Sequence, residues 1–193
     1  MPPVSPERMR ATLMTKTFTN NSDVQVVADL YARCFNSVVP TLEKLSYMAL
    51  GWGPEEAKLL AEVLPAFGSL KTLFMYSTGD LGDEGAEHMA SALAKHRSLT
   101  ELDYTSNKTG VRGATAFARA LQQNSTLKSL TIGYNLRLFG DAGAEAIAVG
   151  LKDNTTLTEL DVELNDITSK GKAALEKAIR GRSSLTLTIG KLA

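Results

Sequence analysis

The sequence predicts an α/β solenoid built from stacked strand–turn–helix–loop units. Three observations predict it: a leucine frame that recurs every 28 to 30 residues, a two-residue alternation inside that frame, and a glycine-led helical pattern after each one.

The frame opens at Leu42, Leu70, Leu99, Leu127 and Leu157, with Leu185 one unit further on, so the spacings are 28, 29, 28, 30 and 28. Positions one, four and six of each segment are apolar, as in Leu99, Leu102 and Tyr104 or Leu157, Leu160 and Val162. Positions four and six alternate with polar neighbours, the pattern of a short strand with one buried face. The ninth position is Asn107, Asn135 and Asn165 in three units, where an inward amide can bond the backbone of adjacent turns. Leu50 and Thr78 occupy it in the first two units, whose turns should be held less well.

After each strand comes a helix whose buried face reads Gly85, Met89 and Leu93, then Gly113, Phe117 and Leu121, then Gly143, Ile147 and Leu151, then Gly171, Leu175 and Ile179. The alanines between these positions let neighbouring helices approach closely. Asp83, Asp141 and Ser169, each two residues before the glycine, are expected to cap the helix that follows them. Asn124 and Asn154, near helix ends, are expected to take the left-handed conformation of a C-terminal turn.

Together, the leucine frame with its asparagine and the glycine-led helices resemble the leucine-rich repeats of the ribonuclease-inhibitor-like kind, from Leu42 to Leu185. The resemblance implies a right-handed βα leucine-rich-repeat solenoid, a horseshoe arc with parallel strands concave and helices convex. It implies binding more than chemistry, since that family includes inhibitors, innate-immune sensors, small-GTPase activators and actin-capping proteins.

Composition agrees with one domain. Lys plus Arg and Asp plus Glu number 21 each among 193 residues, so no global charge draws the chain to nucleic acid or an anionic membrane. The first ten residues carry prolines and charges and do not read as a secretory signal, and no apolar run is long enough to span a bilayer. A soluble, cytoplasmic protein is expected. Cys34 is the only cysteine, which excludes an internal disulfide and suits a reducing compartment.

Residues 1–12 are expected to form a flexible tail. Residues 13–41 are expected to form a degenerate capping repeat, with a strand over Leu13 to Phe18, a helix over about 23–35 and Cys34 packed on its apolar face. Five repeats then occupy 42–184. Residues 185–193 give the strand of an incomplete sixth, whose open edge marks a natural end, a self-association contact or a point where a longer solenoid continues.

On the concave face the outward strand positions form the expected partner-binding surface. Met48, Phe74 and Tyr76 would make one end aromatic, while Glu101, Asp103, Glu159, Asp161 and Glu163 would make the other acidic and suited to a basic segment of a protein partner. Such a face argues against nucleic acid. The fourth unit carries a two-residue insertion after its Asn, and Tyr134, Leu136 and Arg137 are contact candidates on that rim, with Phe139 filling the core slot of Leu81 and Ile167.

No catalytic, cofactor or metal set emerges. His88 and His96 lie in one helical segment without other ligands at suitable spacing, and His96 occupies the position of Asn124 and Asn154. Sequons at Asn20, Asn107, Asn124 and Asn154 are read as accidental, because Asn107 should turn inward. The leading expectation is a non-catalytic interaction module. The resemblance also permits a Ran-activator-like regulator of a small GTPase, with Arg112 and Arg137 near the rim, or a tropomodulin-like domain that binds actin ends.

Overall fold

The computed structural model describes residues 1–16, 21–135 and 138–190. Six parallel strands of three residues each form one sheet: β1 (Lys44–Ser46), β2 (Thr72–Phe74), β3 (Glu101–Asp103), β4 (Ser129–Thr131), β5 (Glu159–Asp161) and β6 (Thr186–Thr188), paired in chain order. Parallel neighbours require a crossover, and here each is a helix: α3 (Pro54–Val63), α4 (Gly82–Lys95), α5 (Val111–Gln123), α6 (Gly140–Leu151) and α7 (Ser169–Ala178). From β1 to β5 the register follows the frame, so the fourth-position leucines Leu45, Leu73, Leu102, Leu130 and Leu160 form one row across the sheet, which Leu187, two residues after Leu185, continues one residue short of the frame. From Leu73 to Leu160 that row is buried, and together with Met75, Tyr104, Ile132 and Val162 it packs against the helices.

A three-residue strand satisfies few backbone groups, so the turns after it need other partners. The asparagines provide them. Buried Asn165 donates to the carbonyls of Ile132 (2.7 Å) and Val162 (3.0 Å) and accepts from Asn135 N–H (2.8 Å), tying two repeats together. Asn135 accepts from Thr109 N–H (2.8 Å), and Asn107 from Thr78 N–H (3.0 Å). Thr78 takes over part of this role in the second unit: it is fully buried, and its hydroxyl donates to the Tyr47 carbonyl (2.7 Å). The first turn lacks such a side chain. Leu50 is 49% exposed, and the turn is held by backbone bonds to Ser77 and Thr78 and by buried Trp52, whose ring lies 4.8 Å from that of Tyr47.

A second set of inward side chains stands at the helix-to-strand corner. Asn124 and Asn154 do not adopt left-handed backbone; Asn124 is extended, and each spans the corner with its amide. Asn154 donates to Leu121 O (2.8 Å) and accepts from Leu157 N–H (2.9 Å), while Asn124 does the same with Leu93 O (2.7 Å) and Leu127 N–H (2.7 Å). His96 fills this place one repeat earlier: Nδ1 accepts from Leu99 N–H (3.1 Å), and Nε2 is buried beside the Leu64 carbonyl without a hydrogen bond. Burial holds its imidazole below the ordinary value of 6.5.

The aspartates also act across repeats. Asp83 lies inside α4, and its carboxylate accepts from Gly110 and Gly113 N–H (2.7 Å each) at the start of α5. Asp141 of α6 accepts in the same way from Thr168 (2.8 Å) and Gly171 (3.0 Å) at the start of α7. Bonds from the Thr168 hydroxyl and backbone hold the Asp141 carboxyl below the usual carboxylate range. Expected as caps of their own helices, these residues cap the next one, because helix starts are stacked side by side. Thr168, not Ser169, is the N-cap of α7.

Helices stack through small residues. Ala57, Ala86, Ala114 and Ala144 form one buried row, and half-buried Ala61 with buried Ala90, Ala118 and Ala148 a second. A Cβ placed on Gly150 would lie 2.5 Å from the Ala118 carbonyl, so α5 and α6 approach as closely as backbones allow. In α7 the two rows continue as Lys172 and Glu176, whose charges lie 3.8 Å apart on the helix's outer side.

At the N-terminal end the structure departs from expectation. Residues 1–12 are not a tail: α1 (Pro6–Met14), capped by Ser5, packs against α2 (Asn21–Val38), and Val4 is buried with its backbone bonded to the Tyr31 hydroxyl. No strand forms at Leu13 and Met14, which end α1, while Thr17 and Phe18 lie outside the described residues. Cys34 is exposed. α2 carries apolar residues on two sides; Ala28 and Phe35 turn inward, as does Val39 just after the helix, and Cys34 falls with exposed Val26, Leu30 and Val38. Phe139, by contrast, fills the core slot of Leu81 and Ile167 as its spacing predicts.

Two measurements test this scheme. Asn165→Ala leaves buried backbone groups without partners and is expected to cost about 2–4 kcal/mol in urea unfolding, against about 1 kcal/mol for Thr78→Ala. A histidine with a depressed folded-state pKa stabilises fully above the unfolded value, and that stability fades as pH falls from 6.5 through the depressed value. His96→Asn, which copies the next two repeats, is expected to flatten the loss of urea midpoint between about pH 7 and pH 5.

Candidate functional site

The inner sheet surface is a grid fixed by strand register. Its third-position row reads Lys44, Thr72, Glu101, Ser129 and Glu159 and is continued on β6 by Thr186; the fifth-position row reads Ser46, Phe74, Asp103, Thr131 and Asp161 and is continued by Thr188. The acidic residues therefore stand on β3 and β5 with a hydroxyl residue between them on β4, about 10 Å apart at two strand spacings. Asp103 and Asp161 each accept from the N–H two residues on, at 2.9 Å to Thr105 and 2.8 Å to Glu163, which orients both carboxylates along the same edge. Glu101 accepts from the Thr72 hydroxyl at 3.1 Å.

Met48, Tyr76 and Tyr134 are 53%, 42% and 50% exposed, as anchors for a partner would have to be. Phe74 is different: half-buried, with the Lys44 ammonium 4.6 Å above its ring, so one face is already occupied. Leu136 and Arg137 lie outside the described residues. Arg112 is not on the rim; it opens α5 on the convex side and pairs with Glu87 at 2.8 Å.

The structure adds apolar residues that the frame alone did not single out. Leu138 is 46% exposed and Leu164 39%, so the apolar side chains continue past the aromatic end and along the rim beside the acidic rows. The eighth position explains Leu164. Ala49, Ser77, Ser106, Tyr134 and Leu164 all have φ between 46° and 58°, left-handed values that swing each side chain to the rim. Leu138 follows from occupancy of the core slot by its neighbour Phe139.

A family model for the leucine-rich repeat matches residues 123–148 and 153–175. Actin-binding site 2 of leiomodin-1 superposes with a TM-score of 0.66 at 22% identity, over 77% of this chain and 84% of that one. The chain has the leucine-rich-repeat solenoid fold. The tropomodulin C-terminal domain from Caenorhabditis elegans has the same repeat fold, with a TM-score of 0.62 at 12% identity over 77% of this chain and 88% of that one. A chain of the yeast Rad7–Elc1 complex superposes with a TM-score of 0.59 at 18% identity, over 97% of this chain and 45% of that one. Leucine-rich repeats are in general non-catalytic binding scaffolds.

Among the described residues, no group of three or more His, Cys, Asp or Glu side chains is placed to hold a metal ion. No helix in them is long and apolar enough to cross a membrane. The sequons at Asn107, Asn124 and Asn154 are buried, with their amides engaged.

The left-handed rim can be tested directly. An exposed leucine at φ 54° is strained, so Leu164→Gly is expected to leave stability unchanged or raise it by up to about 1 kcal/mol, opposite to the usual sign for such a change. Thermal unfolding checks it, and a clear fall in Tm would refute the strain.

Proposed function

We propose that this repeat protein is a non-catalytic module that holds a protein partner against its concave strand face. One observation carries the reading: Met48, Tyr76 and Tyr134 stand 42–53% exposed after β1, β2 and β4 of the same sheet whose β3 and β5 carry the carboxylates. Large amphipathic side chains next to fixed charge are what interfaces use for affinity and for orientation, respectively. In this reading Phe74, Leu136 and Arg137 add contacts, and Glu101, Asp103, Glu159, Asp161 and Glu163 receive a basic segment of the partner. The acidity disfavours nucleic acid.

The 28–30-residue unit with a full helix in each repeat supports assignment to the ribonuclease-inhibitor-like subfamily. A lone cysteine supports a cytoplasmic site of action. The outer edge of β6, last in the sheet order, offers self-association as a further contact.

Likeness to actin-binding site 2 of leiomodin-1 favours a second reading, in which the partner is actin at a filament end. One set of assays separates the two. Phe74→Ala, Tyr76→Ala and Asp161→Lys together are expected to abolish capture of the partner from lysate while leaving the fold intact by circular dichroism. If the wild-type chain slows depolymerisation of actin filaments and the triple variant does not, the partner is actin. Unchanged capture by the triple variant would remove the concave face from consideration.

A further inference from the structure

We infer that the concave face and its rim take a basic amphipathic α-helix lying across the strands, about one helical turn per repeat. The inference rests on the concave-face reading above and names the form and chemistry of the partner segment.

Two parallel bands carry it. One band is apolar: Met48 and Tyr76, at the seventh position of repeats one and two, lead to Tyr134 and Leu164, at the left-handed eighth position of repeats four and five, and all four are 39–53% exposed. Beside them run the carboxylates of repeats three and five. Both bands follow the solenoid axis, perpendicular to the strands.

Spacing then selects the occupant. Adjacent strands lie about 4.8 Å apart, close to the 5.4 Å pitch of an α-helix. The rim anchors therefore sit at intervals of about one, two and one turns, and an apolar stripe at i, i+4, i+11 and i+15 would meet all four. The gap at repeat three is a recess of about 360 Å³ lined by Ser77, Asp80, Ser106, Lys108, Tyr134 and Leu138, which can receive a side chain from the middle of that stripe. Carboxylates two strands apart match two turns, so Lys or Arg at i and i+7 on the adjoining face would meet β3 and β5 in register. An extended peptide repeats its same-face side chains about every 6.6 Å and matches neither interval. An acidic helix would set like charges together.

The test uses the whole chain and three fluorescent peptides of about eighteen residues: an amphipathic Leu/Lys helix, its Leu/Glu counterpart, and the Leu/Lys peptide with two central prolines that prevent the helix. Anisotropy is expected to show the Leu/Lys helix binding at least about tenfold more tightly than either other peptide. Tyr134→Ser with Leu164→Ser, and separately Asp161→Asn with Glu163→Gln, are each expected to weaken it about fivefold or more, the second pair also reducing its salt dependence. Arg119→Ala on the convex face should change nothing. All substituted side chains are at least partly exposed, and unfolding midpoints confirm the folds.

Equal binding of the proline peptide, lost with Asp161→Asn and Glu163→Gln, would overturn the helix and leave the concave site standing. Equal binding of the Leu/Glu helix would overturn the basic partner. Tight Leu/Lys binding untouched by both pairs of substitutions would overturn the inference and the concave-face reading together.

Discussion

The fold depends on buried side-chain amides that bond backbone groups one repeat away. Strands of three residues make too few ladder bonds to satisfy the turns that follow them, and an unpaired buried polar group costs about as much as several buried methylenes would return. Asn107, Asn135 and Asn165 remove that penalty on one side of the stack, and Asn124 and Asn154, which donate to Leu93 and Leu121, on the other. Because each amide reaches backward by one unit, no repeat is complete by itself. Asp83 and Asp141 extend the same logic to the helix starts.

Close helix packing is the second constraint, and it shows how the two ends differ. Two rows of alanine meet the glycine-bearing face of the next helix until α7, where Lys172 and Glu176 replace them. Another helix laid on that side would bury an ion pair, which costs desolvation that an alanine contact does not. At the N-terminal end the device is different: α1 and α2 pair with each other, and α2 leaves Val26, Leu30 and Val38 exposed.

Surface chemistry follows from these constraints. Register carries the third and fifth positions into straight rows, so residues 58 apart in sequence, Glu101 and Glu159, share one band. The left-handed eighth position turns Tyr134 and Leu164 onto the rim, where bulky residues tolerate strained backbone and remain open to contact. Strain and exposure on a leucine and a tyrosine are both unfavourable for an isolated fold, which is the physical basis for giving them a partner.

The sequence by itself determined the α/β solenoid, the strand frame, the inward asparagines, the Phe139 slot and which residues share the inner face. Each of these depends on a period, and period is readable along a chain. Tertiary structure decided what depends on neighbours in space. It turned Asp83 and Asp141 toward the next helix, Cys34 outward and residues 6–14 into a docked helix, because a helix with two apolar sides does not say which one is covered. It also placed Lys44 over Phe74 and carried the apolar rim alongside the acid. Those outcomes were set by side chains about thirty residues apart meeting across one strand spacing, a distance no local pattern encodes.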